Sequence, residues 1–100
     1  MTASHTPGET RPRFALGQVV ATPGALAALE EAGVVPATLL ARHQSGDWGD
    51  VGPEDHAENE LSLGRFLRIF SVYRLTDTIT VWIITEADRS ATTVLLPDDY

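Results

Sequence analysis

A change of hydrophobic period predicts an α+β fold, with an N-terminal strand and two to three short helices packed on a C-terminal three-stranded antiparallel β-meander. From Thr22 to Gly64 the apolar residues recur at helical spacing between stops marked by Pro and Gly, and from Arg65 onward they alternate. The last third of the chain also gathers β-branched and aromatic residues into three runs separated by turn residues. With 100 residues and 43% apolar content, the chain supports a single core and a single domain.

The elements follow in order. Residues 1–13, rich in Thr, Pro and Gly, read as a disordered tail, and residues 14–100 as the domain. FALGQVV (14–20) reads as a strand that Gly17 weakens. TPGALAALEEAG (22–33) reads as a helix with Thr22 as N-cap, Pro23 in the first turn and Gly33 as its stop. Leu26 and Leu29, with Ala25 and Ala32, form its apolar stripe. VVPATLLARHQSG (34–46) starts a second helix at Pro36 and places Leu39, Leu40 and His43 on one face. DWGDVGPED (47–55) is a loop, and PEDHAENELSL (53–63) a third, polar helix that Gly64 ends. RFLRIFSVYRL (65–75) alternates, with Phe66, Arg68, Phe70, Val72 and Arg74 on one side and Arg65, Leu67, Ile69, Ser71 and Tyr73 on the other. Thr76 and Asp77 turn the chain into TITVWIITE (78–86), ADRS (87–90) turns it again, and ATTVLLP (91–97) runs to Pro97.

Composition limits the function classes. The chain has no cysteine, which excludes disulfides, thiolate metal sites and thiol nucleophiles. No apolar run approaches the roughly 20 residues of a membrane span. The N-terminus has no apolar core of a secretory signal, so a cytoplasmic location is expected. Fourteen acids face seven basic residues, all Arg, for a net charge of −7. Phosphate contacts need positive patches, so direct nucleic-acid binding is disfavoured. Such acidity suits docking on a protein partner with a basic surface. No metal or cofactor motif is met, and none is expected to bind. Composition leaves the oligomeric state open.

Four constellations carry candidate chemistry. In ARHQSGDWGD (41–50), His43 offers a general base and Trp48 a stacking ring; alternatively Arg42 and His43 complement a helix dipole and Trp48 plugs the core edge. EDHAENE (54–60) could bind a hard cation, though it has no EF-hand pattern, or present an acidic face; alternatively it is a solvated helix face. At one end of the meander, Thr85, Glu86, Asp88, Arg89, Ser90 and Thr92 must crowd together, either as a site or as a hairpin whose Asp88 caps the turn. Asp98, Asp99 and Tyr100 form an acidic segment able to dock on a basic surface or to fray. Trp82, Ile84, Val94 and Leu96 of the last hairpin are available to the core or to a covering chain.

The stretches LLARHQSGDWGDVGPEDHAENE, SVYRL and WIITEADRSATTVLLPDDY resemble a family of small bacterial proteins carried on plasmids and integrated mobile elements, over about residues 14–100. The family has no established activity to carry over. The resemblance implies an accessory protein of a mobile element, sometimes linked to restriction–modification systems. Together with the acidity, it leads to protein–protein binding as the expected function, directed at a nucleic-acid-handling or defence complex. Trp48, Glu86, Asp88, Arg89, Asp98, Asp99 and Tyr100 are then the candidate contacts. The order of helices followed by a meander is also similar, at the level of fold, to small ribonucleases and toxins of the barnase/RelE type. That likeness gives the second reading, an enzyme with His43 as base, Arg74 or Arg89 as phosphate contact and Ser90 or Thr92 as transition-state donor. A DNA-mimicking inhibitor is a third reading, and requires carboxylates spaced along one face.

Overall fold

The computed structural model describes residues 11–100. It contains β1 (Gln18–Ala21), α1 (Pro23–Ala32), α2 (Pro36–Gln44), α3 (Pro53–Arg65), β2 (Ile69–Arg74), β3 (Thr80–Thr85), β4 (Ala91–Leu95) and a single 3-10 turn at Pro97–Asp99. The expected tail over residues 1–13 lies outside the described residues except for its last three. Of these, Arg13 is docked: its N–H donates to the Gln44 carbonyl at 2.7 Å and its guanidinium meets Glu60 at 3.2 Å.

The punctuation of α1 is the one its sequence predicts. The Thr22 hydroxyl accepts the Ala25 N–H at 3.1 Å, Pro23 opens the helix, and Gly33 closes it at φ 71°. Its buried face is Ala25 and Leu29, one turn apart. Leu26, one residue further round, is 48% exposed rather than part of the stripe. In α2 the buried face is Leu39 and His43, again one turn apart. α3 runs two residues beyond its expected end, to Arg65, and stops where Phe66 takes a left-handed φ of 52°. The alternation expected from Arg65 therefore starts only at Ile69.

The helices and the meander stand in the expected order, but the sheet has four strands and is mixed. Its order is β1-β4-β3-β2, with β1 parallel to β4 and the other pairs antiparallel. The N-terminal strand thus extends the sheet instead of packing on it with the helices. Gly17 makes this possible. It sits at φ 66°, and a Cβ there would collide with the Arg89 and Ser90 carbonyls. The chain passes under the last hairpin at that point and then pairs: Gln18 N–H donates to the Ser90 carbonyl and Thr22 N–H to the Val94 carbonyl, both at 2.9 Å.

The register divides the sheet into two faces. Tyr73, Val81, Ile83 and Val94 point inward and form the core with Ala25 and Leu29 of α1 and Leu39 of α2. Burying each of these larger side chains contributes about 1.5–3 kcal/mol. Phe70, Val72, Trp82, Ile84, Thr93 and Leu95 point to the opposite face. The four residues expected to act together are therefore split. Val94 is core, Leu96 packs on its margin, and Trp82 and Ile84 stand on the far side of the sheet.

Candidate functional site

His43 lies at the centre of a buried chain of hydrogen bonds. Its Nδ1 is 2.6 Å from the Ser71 hydroxyl and its Nε2 is 2.9 Å from the Thr85 hydroxyl. Thr85 is 2.7 Å from the Thr92 hydroxyl, which is in turn 2.7 Å from the Leu16 carbonyl. Only the last link has a fixed donor, and it sets all the others. Thr92 must donate to the carbonyl, so Thr85 donates to Thr92 and the His43 Nε2–H donates to Thr85. Nδ1 is then the acceptor for the Ser71 hydroxyl. The ring is neutral, in the Nε2–H tautomer, and burial pushes its pKa down to about 3.

Burial removes His43 from both of its expected roles. A neutral imidazole does not complement a helix dipole. A general base must offer a nitrogen to substrate, and both of these are engaged inside a fully buried site. Thr92 is equally buried and spends its hydroxyl on Leu16. Trp48 is buried too, with its indole N–H donating to Glu60 at 2.9 Å and its ring beside Phe14 and His43, so it plugs the core edge. Arg42 instead holds Asp47 at 2.6 Å and lies over the Tyr73 ring.

The Glu86–Ser90 turn is organised by Arg89. This residue takes a left-handed φ of 61° and is 8% exposed. Its guanidinium donates to four backbone carbonyls, Ser62, Leu67, Glu86 and Ala87, at 2.7–3.1 Å. Ser62 carries one of the last four carbonyls of α3, which lack helical partners. Phe66 covers the cation at 5.3 Å from its ring. Among the described residues no carboxylate lies within 4 Å of Arg89. Carbonyl dipoles and the Phe66 ring, rather than a carboxylate, stabilise the charge, and Arg89 ties the β3–β4 turn to the end of α3. Asp88 accepts the Ser90 N–H at 3.0 Å, as expected of a turn cap, and contact with Ser90 keeps its pKa below the usual carboxylate value. Arg74 is exposed at the opposite end of β2, away from Ser90 and Arg89.

Of the remaining candidates, Tyr100 and Glu86 stand at the outer face of the sheet, whereas Asp98 and Asp99 do not. Phe70 and Trp82 meet edge to face at 5.1 Å, and Tyr100 stands against Trp82 at 5.8 Å. With Arg68 and Ile84 they line a shallow apolar hollow of about 200 Å³. Arg68 donates to the Tyr100 hydroxyl at 3.0 Å and pairs with Glu86 at 3.3 Å. Asp99 accepts from the Thr22 hydroxyl at 2.6 Å and from the Leu96 N–H, and the Thr22 bond lowers its pKa. Asp98 and Asp99 lie on the 3-10 turn that leads to Tyr100. A larger hollow of about 530 Å³, lined in part by Arg74, Asp77 and Asp98, is as polar as it is apolar and brings no aromatic rings together.

Sequence reasoning missed Asn59 and Ser62. Both are buried, so the acidic helix is not solvated all round. The Asn59 amide donates to the Phe70 carbonyl at 2.6 Å and accepts the Phe70 N–H at 3.0 Å. Their spacing of three residues on an otherwise charged helix was the available signal. Among the described residues no group of acids and histidines is placed to hold a metal ion, and no single helix is long and apolar enough to cross a membrane. Comparison with protein-family models, curated proteins and solved structures gives no match.

Proposed function

We propose that this protein is a binding module whose outer sheet face docks on a partner protein with a basic surface. The observation that carries the proposal is the row of Phe70, Trp82 and Tyr100 on the face of the sheet opposite the one on which α1 and α2 pack. Half-exposed aromatic rings around a hollow are the anchors that protein interfaces favour. Glu86 borders them through its ion pair with Arg68, and the chain as a whole carries −7. This negative charge steers a basic partner and accelerates encounter. The resemblance to mobile-element proteins supports a cytoplasmic accessory role against a nucleic-acid-handling or defence complex. The test is quantitative capture of host proteins by the wild-type chain and by Trp82→Ala, with the fold checked by circular dichroism. A basic protein retained by the wild type, lost with Trp82→Ala and released by salt supports the proposal. Recovery that is indifferent to Trp82→Ala and to Glu86→Arg overturns it.

A further inference from the structure

We infer that β1 is a self-pairing edge, through which two copies of this chain join antiparallel about a dyad at Val20. The inference is independent of the docking face proposed above, because it rests on the backbone of β1 and not on the sheet's outer side chains. Among the described residues β1 has one neighbour, β4, and is an edge. Gln18 and Thr22 direct their N–H groups at β4, and in a parallel ladder such residues alternate. Val20 consequently faces β4 as well, while Val19 and Ala21 turn their N–H and C=O groups away from the sheet. Among the described residues these groups meet no partner. The strand also lacks the features that usually blunt an edge: Gln18–Ala21 holds no charge, no proline and no bulge, and Val19 and Val20 are 44% and 43% exposed.

The pattern is self-complementary, which selects a second copy as the occupant. The two outward residues sit symmetrically about Val20. Antiparallel pairing therefore sets Val19 against Ala21 of the second copy, and Ala21 against its Val19. Each of these pairs exchanges both backbone bonds, so four bonds form. Val20 then meets its own counterpart in the close, non-hydrogen-bonded position, where two valines pack and no like charges oppose. On the outer face, the row Phe70–Ile84–Thr93–Val20, aligned by the register of all four strands, continues across the dyad into the second copy. Four residues per strand make a small interface, so self-association is expected only toward ~0.1–1 mM. Each copy carries −7, so added salt should strengthen pairing.

The absence of cysteine makes the register directly testable. In Val20→Cys the two thiols face each other with Cβ atoms about 4.5–5.5 Å apart, close to disulfide geometry. In Gln18→Cys they are about 13 Å apart, four strand positions offset. Neither position is buried, so neither change disturbs the core. Under mild oxidation Val20→Cys should form a covalent dimer at least ~10-fold faster than Gln18→Cys, and faster still in salt. Sedimentation of the wild type should show a dimer that Val20→Lys abolishes, by opposing two charges at the dyad. Equal oxidation rates for the two cysteine variants, or a wild type that remains monomeric up to ~1 mM, overturn the inference.

Discussion

The two edges of this sheet are managed in opposite ways. On β2, each residue with an outward backbone group has an assigned partner. Asn59 satisfies both groups of Phe70. Val72 donates to the Trp48 carbonyl at 3.1 Å and accepts from Asp50 at 2.6 Å, and the Arg74 N–H donates to the Asp50 carboxylate at 2.8 Å. Gly49 permits this loop to lie so close, since at φ 74° a Cβ there would collide with the Val72 carbonyl and the Tyr73 ring. On β1 the corresponding groups of Val19 and Ala21 are bare among the described residues. A chain that seals one edge with an amide, a loop and a carboxylate and leaves the other open separates the part that must be stable from the part that can associate.

The largest break in this contrast is Asn59→Ala. It leaves the Phe70 N–H and carbonyl unpaired in a part-buried place, and stability should fall by about 1–3 kcal/mol in urea denaturation. Arg89→Ala should cost a similar amount, by stranding the Ser62 carbonyl and releasing the turn from α3, and Arg89→Lys should recover only part of that. If Arg89→Ala instead leaves the midpoint unchanged, the four carbonyl bonds contribute nothing net.

Acid comes next. His43 has a folded pKa of about 3, against an unfolded value near 6.5. Between these values the unfolded chain takes up a proton that the folded chain refuses. Stability is full above pH 6.5 and falls by about 1.4 kcal/mol per unit as the pH drops toward 3. Unfolding free energies of wild type and His43→Gln, measured from pH 7 to 4, should show a steep slope for the first and a shallower one for the second. Asp50→Ala, at an exposed position, should cost about 0.5–1.5 kcal/mol. Smallest of all, Val20→Thr should change monomer stability by less than about 0.5 kcal/mol. Amide exchange sharpens the same comparison: at dilute concentration the Phe70 and Val72 amides should be protected, and those of Val19 and Ala21 should exchange quickly.

What could be read from the sequence was local. Thr22, Pro23 and Gly33 marked α1, and the alternation of Ile69 to Arg74 assigned the two faces of β2, because caps and periods act within a few residues. What could not be read was set by partners distant in the chain. Nothing near Gln18 announces that it will lie beside Ala91. Arg89 looked like a site because Ser62 and Leu67, whose carbonyls it binds, are far away along the chain. His43 looked like a base for the same reason, since its neutrality follows from Thr85, Thr92 and Leu16. The outer face was half legible. Trp82 and Ile84 were recognised as candidates for a covering chain, but only the register separated them from Val94.

The pairing of β1 with β4 also has a consequence for how the molecule is made. Among the described strands, β1 leaves the ribosome first and its partner β4 last. Until β4 emerges, the QVVA segment has neither edge satisfied, while α1 to β3 can already begin to pack. Long-range parallel pairing is intrinsically slow, so joining β1 to β4 is expected to be the late step of folding. Gly17, where a Cβ would collide with the Arg89 and Ser90 carbonyls, is the point at which that late joining fits against the hairpin.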